Sequence, residues 1–595
     1  MRVLIGLLLA ASAALFQSPT SGEADETLAQ LSKIRLDKKQ IYTIRDVTLR
    51  RDVLSIAFNR GTIAFLEPVK GKVTGAVFIG SGEIVAIPPD AVEKQQIFKF
   101  TNTPILNEPF QTALLRFTDN TFEDLKREIA EHAQEDPSPE DIAQFAPWDA
   151  AVATRSTSLN IRVLTDLLES QNAPLFLAEL NGDRTGWFNT VFDLRSTEEV
   201  SIFQLRDTAA GFLGDVWASF NQRSEARNLE AVAHEYKSPV DILSYDVDGT
   251  TAPDKKIDAK VTMRIKTRTV GARVLTFDLA PTLRIASIST DKDEAIPFYQ
   301  FPNTSNFSVV LARALKSGEE LTLKINYSGN ADGDNFWYPS QQQQTVPVFH
   351  SSLSLPAHAP GRFIEFAGRT VVPSSYHDYW LMEGLTRYLA AFSQDANDSA
   401  GPRVRALLNE MREQLKPVEA AGSIWIGPRI ISSRNPEAYR AVYGKGVWII
   451  HMLRMMLRQE GQNPDAKFLA MLNEFMTTYD GKAASTWDFR RVAEKYASKK
   501  LDWFFDQWVL DAGLPTYAVD YKIDAVGSQY RIQGTITQTG VPDGFMMPVP
   551  VYADTEYLGT IQVGESDGGF RFQVSKKPER VLLDPEMTVL TAIAQ

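Results

Sequence analysis

The chain has 595 residues, 44% hydrophobic and 23% charged, with a net charge of −12 from 62 basic and 74 acidic side chains. These are globular values, and they exclude disordered, collagen-like and multi-span membrane classes. The acidic balance argues against nucleic acid as a partner, because a phosphate backbone calls for a basic surface.

A length prior of about 150 residues per domain suggests roughly four domains, enough to bury cores without disulfides. Cysteine is absent. That removes disulfides, thiolate metal ligands and cysteine nucleophiles. Six histidines, at 132, 234, 350, 358, 377 and 451, are all the imidazole available.

Met1-Arg2-Val3 brings a positive charge, Leu4 to Ala10 a short apolar run, and Ala11-Ser12-Ala13 small residues. This pattern predicts a cleaved secretory signal over residues 1–20. The run is well short of the ~20 apolar residues that span a bilayer. The expectation is a periplasmic or secreted protein with no integral membrane segment after cleavage.

Residues 24–225 read as β-rich. Val47, Leu49, Val53, Ile56 and Phe58 fall in short strand-like runs, and Gly71 to Pro88 reads as a hairpin-rich stretch in which Gly80-Ser81-Gly82 is turn chemistry. Phe122 to His132 predicts a short helix, and Leu159, Ile161, Leu164, Leu167 and Leu168 predict another within 155–170. Asn221 to Glu230 reads as a linker. A second strand-rich block follows from 234. Lys260 to Lys266 alternates, so Val261, Met263 and Ile265 face one way, as in a sandwich. Asp246 to Asp254 (DVDGTTAPD) starts like a calcium loop. Its sixth and twelfth positions are Thr251 and Ile257 rather than Gly and Glu, so the reading is a plain turn.

After residue 375 the apolar period becomes 3.6. Trp380, Leu381, Leu385, Tyr388, Leu389 and Phe392 form one stripe; Val404, Leu407, Leu408, Met411 and Leu415 the next; Val447, Ile450, Leu453 and Leu457 a third; Phe468, Leu472, Phe475 and Met476 a fourth. Ser485 with Asp488 three residues on predicts a capped helix start. His451 reads as a satisfied core or boundary histidine. From Thr516 the period returns to 2, predicting a small β-sandwich over 516–595.

The segment from Ser375 to Thr386 (SYHDYWLMEGLT) carries the chemistry. The phrase WLMEGLTRYLA resembles the WLNEGFA signature of the M1 zinc aminopeptidases, the gluzincins, and SYHDYWLMEG resembles an exported bacterial subgroup of M1-like proteins. Val442-Tyr443-Gly444-Lys445-Gly446 is similar to the family's Y-E-K-G segment. The resemblance covers about 235–595. It implies that Glu383 stands at the third zinc ligand and Tyr443 at the residue that stabilises the tetrahedral oxyanion. It further implies a multidomain α+β fold. The β-rich domain read above (24–225), of which residues 45–220 resemble the extra N-terminal β domain of that exported subgroup, precedes a saddle-like β-sandwich (234–345). A truncated M1-like helical domain (346–515) and the C-terminal β-sandwich (516–595) follow.

The family's HExxH should then fall at 360–364, where this chain has Pro360-Gly361-Arg362-Phe363-Ile364. Both histidine ligands and the general-base glutamate are missing. A catalytic zinc needs three protein ligands and an open position for water. The family's G-x-M-E-N segment is missing too, and the block that would carry it is short. The reading is an M1-like pseudoenzyme that holds no cofactor and binds a peptide or protein partner. The alternatives are a zinc metallopeptidase rebuilt on His350, His358 and Glu383, a structural envelope-interaction protein, and the product of a gene that has lost its catalytic lobe. His377, six residues before Glu383, does not share its helix face.

Overall fold

A computed structural model describes residues 22–131, 136–169, 173–208, 211–224, 238–251, 256–301, 306–330, 364–366, 369–395, 401–418, 421–461, 463–564 and 568–592. Residues 1–20, read as a signal, and His132, His234, His350 and His358 lie outside the described residues. Packing divides the chain into two units, Met1–Pro360 and Gly361–Gln595.

The first unit opens on an eight-stranded antiparallel meander in strict chain order. Its strands are β1 (Leu36–Arg51), β2 (Leu54–Leu66), β3 (Gly75–Ala86), β4 (Leu106–Phe117), β5 (Leu175–Gly182), β6 (Gly186–Asp193), β7 (Val200–Thr208) and β8 (Gly211–Phe220). Alternate side chains enter two separate cores. Ile63, Phe65, Ala113 and Leu115 belong to one, and Ala64, Leu66, Val77 and Leu114 to the other. Six helices flank the strands: α1 (Glu23–Ser32), α2 (Ala91–Thr101), α3 (Thr121–Glu131), α4 (Pro139–Ala143), α5 (Trp148–Arg155) and α6 (Asn160–Leu168). Leu28 and Leu31 of α1 join Val163 and Leu164 of α6 in the second core, while Ile97 and Leu125 join the first. The helices read near 122–132 and within 155–170 are α3 and α6; α1, α2, α4 and α5 carry no stripe wide enough to read from sequence.

Two turn readings are corrected. Gly80-Ser81-Gly82 lies inside β3, not in a hairpin. The register against β4 shifts between Ile79 and Gly82, and that against β2 between Phe58 and Arg60. A Cβ on Gly80 would sit 2.2 Å from the Arg60 carbonyl oxygen, so the glycines admit a close approach at a bulge. Residues 246–251 likewise form part of a strand, where Asp246 pairs with Thr262 and Asp248 with Lys260.

That strand, β9 (Val240–Thr251), borders a four-stranded sheet with β10 (Lys256–Thr267), β12 (Leu283–Ser289) and β15 (Glu320–Asn330). β11 (Val274–Asp278), β13 (Phe298–Tyr299) and β14 (Asn306–Val310) form the facing sheet. Val261, Met263 and Ile265 are all buried between them, as their alternation predicts. Glu169, just past α6, accepts hydrogen bonds from the Arg273 and Val274 amides at 2.7 and 2.9 Å, tying the sandwich to the meander.

The second unit holds helices α7 (Tyr379–Gln394), α8 (Pro402–Leu415), α9 (Arg440–Leu457), α10 (Ala466–Thr478), α11 (Thr486–Ala497) and α12 (Asp502–Phe505), the last running into one π turn. The four predicted stripes are the buried faces of α7 to α10; Leu407 and Phe392 are half-buried. Three short strands absent from the sequence reading form a small sheet beside them. β16 (Ile364–Phe366) pairs antiparallel with β17 (Arg369–Pro373), which pairs parallel with β18 (Lys482–Ala484). Strands this short leave no period to detect. The unit ends in two three-stranded sheets. One has the order β19 (Thr516–Val526), β20 (Gln529–Thr539), β23 (Gly568–Val574); the other β22 (Glu556–Val563), β21 (Met547–Ala553), β24 (Val581–Leu583). The whole is a multidomain α+β fold.

Candidate functional site

The motif helix α7 is fixed at its start by a buried carboxylate. Asp378 accepts hydrogen bonds from the Ser375 amide (3.1 Å) and from the Thr486 amide and hydroxyl (2.6 and 2.8 Å). Burial pushes Asp378 above the usual carboxylate range, and the donors of Thr486 oppose that shift. The Thr486 hydroxyl in turn accepts from the Trp380 indole at 3.0 Å. One side chain thus joins the first turns of α7 and α11. Ser485 forms the predicted capping box: its hydroxyl accepts from the Asp488 amide, and its own amide donates to the Asp488 carboxylate at 2.8 Å.

Further along, α7 crosses α9 on glycine. A Cβ on Gly384 would stand 2.6 Å from the Gly446 carbonyl carbon, and one on Gly446 would stand 2.5 Å from the Trp380 carbonyl oxygen. Gly444 faces α8 instead, where a Cβ would meet the Leu415 side chain at 3.1 Å. The glycines of the two motifs are therefore packing devices that let backbones approach.

This crossing brings the two predicted site residues together through a third. Glu383 is mostly buried and pairs with Arg387 one turn on, Nε to Oε2 at 3.3 Å. The Arg387 guanidinium lies over the Tyr443 ring, 4.5 Å from its centre. Burial raises the Tyr443 phenol above its ordinary value, with Arg387 and Arg440 pulling the other way. At neutral pH the phenol keeps its proton and can donate a hydrogen bond. The sequence reading missed Arg387, although its i,i+4 spacing from Glu383 was visible.

Glu383 is the one predicted ligand that the structure describes, and a cation of the chain itself stands against it. His377 is engaged elsewhere: Nδ1 lies 2.7 Å from the Trp425 carbonyl oxygen, and the ring stacks on Trp425 at 4.4 Å. Among the described residues no group of three or more His, Cys, Asp or Glu is placed to hold a metal. Residue 364, the last position of the expected HExxH, is an isoleucine in β16. The described donor set does not fit a catalytic zinc.

Two other titratable groups sit deep in α9. His451 is a satisfied core histidine, as read from sequence. The Tyr388 hydroxyl donates to its Nδ1, and its Nε2–H donates to the Met587 carbonyl, both at 2.9 Å. Burial pushes it down to about 3, so it is neutral. Arg454 closes the chain, donating to the Tyr388 oxygen and gripping Asp465 at 2.8 and 2.7 Å. Lys445, between the motif glycines, is buried; burial lowers it to about 8, and Nζ donates to the Asp511 carbonyl at 3.0 Å.

Residues 365–508 match the family model described as the Peptidase family M1 domain. No curated protein matches the chain. Among solved structures, aminopeptidase A of Legionella pneumophila, in complex with aspartic acid, is similar at 11% identity and a TM-score of 0.40. The similarity covers 60% of each chain, too loose a likeness to carry any argument about chemistry. Through the segment from β16 to the π turn, which holds Glu383, Arg387 and Tyr443, this chain is an M1 peptidase family-like protein.

Proposed function

We propose that the chain is an exported, non-hydrolytic M1-family protein that binds a peptide or protein partner on its helical scaffold. The observation that carries this reading is the neutralised carboxylate. Glu383, at the family's zinc-ligand position, is paired with Arg387, and the positions of the two histidine ligands hold none. A carboxylate neutralised by a guanidinium is a poor metal ligand, and no general base stands in the place of the missing glutamate. Tyr443 and Arg387 remain as a hydrogen-bond donor and a partly exposed cation, groups suited to a peptide carbonyl or carboxylate. Export rests on the charged, apolar and small-residue pattern of residues 1–20, with a periplasmic or extracellular location.

The test is the zinc content of the purified mature protein after dialysis against trace zinc, with aminopeptidase assays alongside. The expected result is far less than one zinc per chain and no chelator-sensitive hydrolysis. About one zinc per chain, lost in Glu383→Ala, would sink the proposal in favour of ligands rebuilt on His350 and His358.

A further inference from the structure

The first unit contains a charged side chain for which, among the described residues, the fold supplies no counter-charge. Its other deeply placed arginines find carboxylates: Arg162 pairs with Asp193 and Asp166, and Arg195 with Asp166 and Glu169. Arg116 does not. It lies on β4, in register with Gly75 of β3 and Leu177 of β5, and is completely buried. Period 2 puts it on the same face as Leu114, which with Leu66 and Leu177 belongs to the apolar core that α1 and α6 cover.

Its Nε donates to the Thr74 carbonyl oxygen at 3.1 Å. Nη1 and Nη2 are buried with no hydrogen-bond partner, and so is the Thr74 hydroxyl. The stem is held in place from below. A Cβ on Gly75 would come within 2.9 Å of Arg116 Cδ and 2.7 Å of the Leu66 side chain, so glycine makes room for the arginine. Burial alone acts on the guanidinium, lowering it to about 10, and no neighbouring charge offsets that.

Arginine keeps its charge in proteins, and a buried charge without a partner is among the costliest arrangements in a core. The two free Nη groups form a planar fork whose geometry matches two oxygens of one anion. We propose that Arg116 binds a small oxyanion inside the N-terminal unit through its two free Nη groups: inorganic phosphate, formate or a carboxylate of that size. Because the site is closed, the anion enters on folding or on local opening, and its role is to complete the fold. This proposal does not rest on the M1-like site.

The experiment uses the full chain, dialysed exhaustively into buffer free of oxyanions and then exposed to phosphate or to formate at constant ionic strength. Ion chromatography after acid denaturation should find about one anion per chain. The thermal midpoint should rise saturably with anion by about 3 °C. Arg116→Met should lose the bound anion and at least ten-fold in apparent affinity. If Arg116→Met fails to fold, Arg116→Lys removes the fork while keeping the charge. Unchanged affinity in Arg116→Lys would overturn the proposal. It is equally overturned if the wild type holds neither anion, the result expected if water alone fills the site, or if wild type and Arg116→Met respond alike.

Discussion

Gly384 of α7 and Gly446 of α9 meet backbone to backbone, so close that a Cβ on Gly384 would lie 2.6 Å from the Gly446 carbonyl carbon. Each glycine belongs to one of the two motifs that carry the family resemblance. Their contact is what sets Glu383 and Tyr443 on either side of Arg387. Gly446→Ala should therefore destabilise the protein by about 1–3 kcal/mol or more, because backbone cannot yield as a side chain can. Gly444→Ala, whose Cβ meets the movable Leu415 side chain at 3.1 Å, should be far milder, since alanine gains up to about 1 kcal/mol in helix propensity. Urea unfolding of the two variants decides it. Equal losses would mean that the crossing is not the constraint.

Arg387→Ala removes the cation between Glu383 and Tyr443. The pair is half-exposed on the arginine side, so the cost in stability should stay below about 1 kcal/mol. The Tyr443 phenol should move further up, because Arg387 is the foremost group holding it down. Difference absorbance during alkaline titration, with Tyr443→Phe as the blank, reads this. A downward shift would contradict the geometry.

His451 and Asp584 should give stability opposite slopes with pH. His451 is held near 3 in the folded protein against about 6.5 unfolded. The unfolded chain therefore binds the extra proton, and stability is complete above about pH 6.5 and lost as pH falls toward 3. Asp584 is raised to about 6 by burial. Its contribution runs the other way, present below about pH 3.9 and lost as pH rises through 6. Each slope is at most about 1.4 kcal/mol per pH unit. His451→Gln should flatten the acid side of the stability profile, and Asp584→Asn should raise stability at pH 7 relative to pH 4. Chemical denaturation at a series of pH values measures both, and parallel profiles for wild type and variants would refute the assignment.

Ser485→Ala should cost about 1 kcal/mol, up to about 2, because it opens the capping box and leaves the Asp488 amide without its acceptor. Ser485→Asp, which keeps a cap acceptor, should recover part of the loss. A neutral Ser485→Ala in the same unfolding assay would show that Thr486 and Asp378 alone hold the helix start.

What could be read from sequence divides along physical lines. Stripes such as Val447, Ile450, Leu453 and Leu457, and the Ser485–Asp488 cap, are local: their period or spacing lies within one element. β3 could not be read as one strand, because Gly80 makes sense only beside Arg60 and Gly61 of the preceding strand, β2. β17 was invisible because its parallel partner, β18, lies far along the chain. At the candidate site, Glu383 and Tyr443 were found through motif resemblance. Arg387 was missed because its contact with Tyr443 depends on a helix crossing, which no spacing within one helix encodes. Arg116 carried no signal in the sequence, since its burial depends on the neighbouring strands and on the helices over its face.

The docking of Met587 on His451 has a consequence for synthesis. Val589 and Leu590 are buried, and the Leu590 amide lies 3.5 Å from the Met452 sulfur, so residues 584–590 seal the far side of α9. On the ribosome α9 emerges long before this segment. Until then His451 has no acceptor and part of the helical core stays open to water and to chaperones. The second unit should therefore mature in one late, post-translational step, and a stop codon ahead of Met587 should leave a nascent chain marked for proteolysis rather than a shortened but working protein.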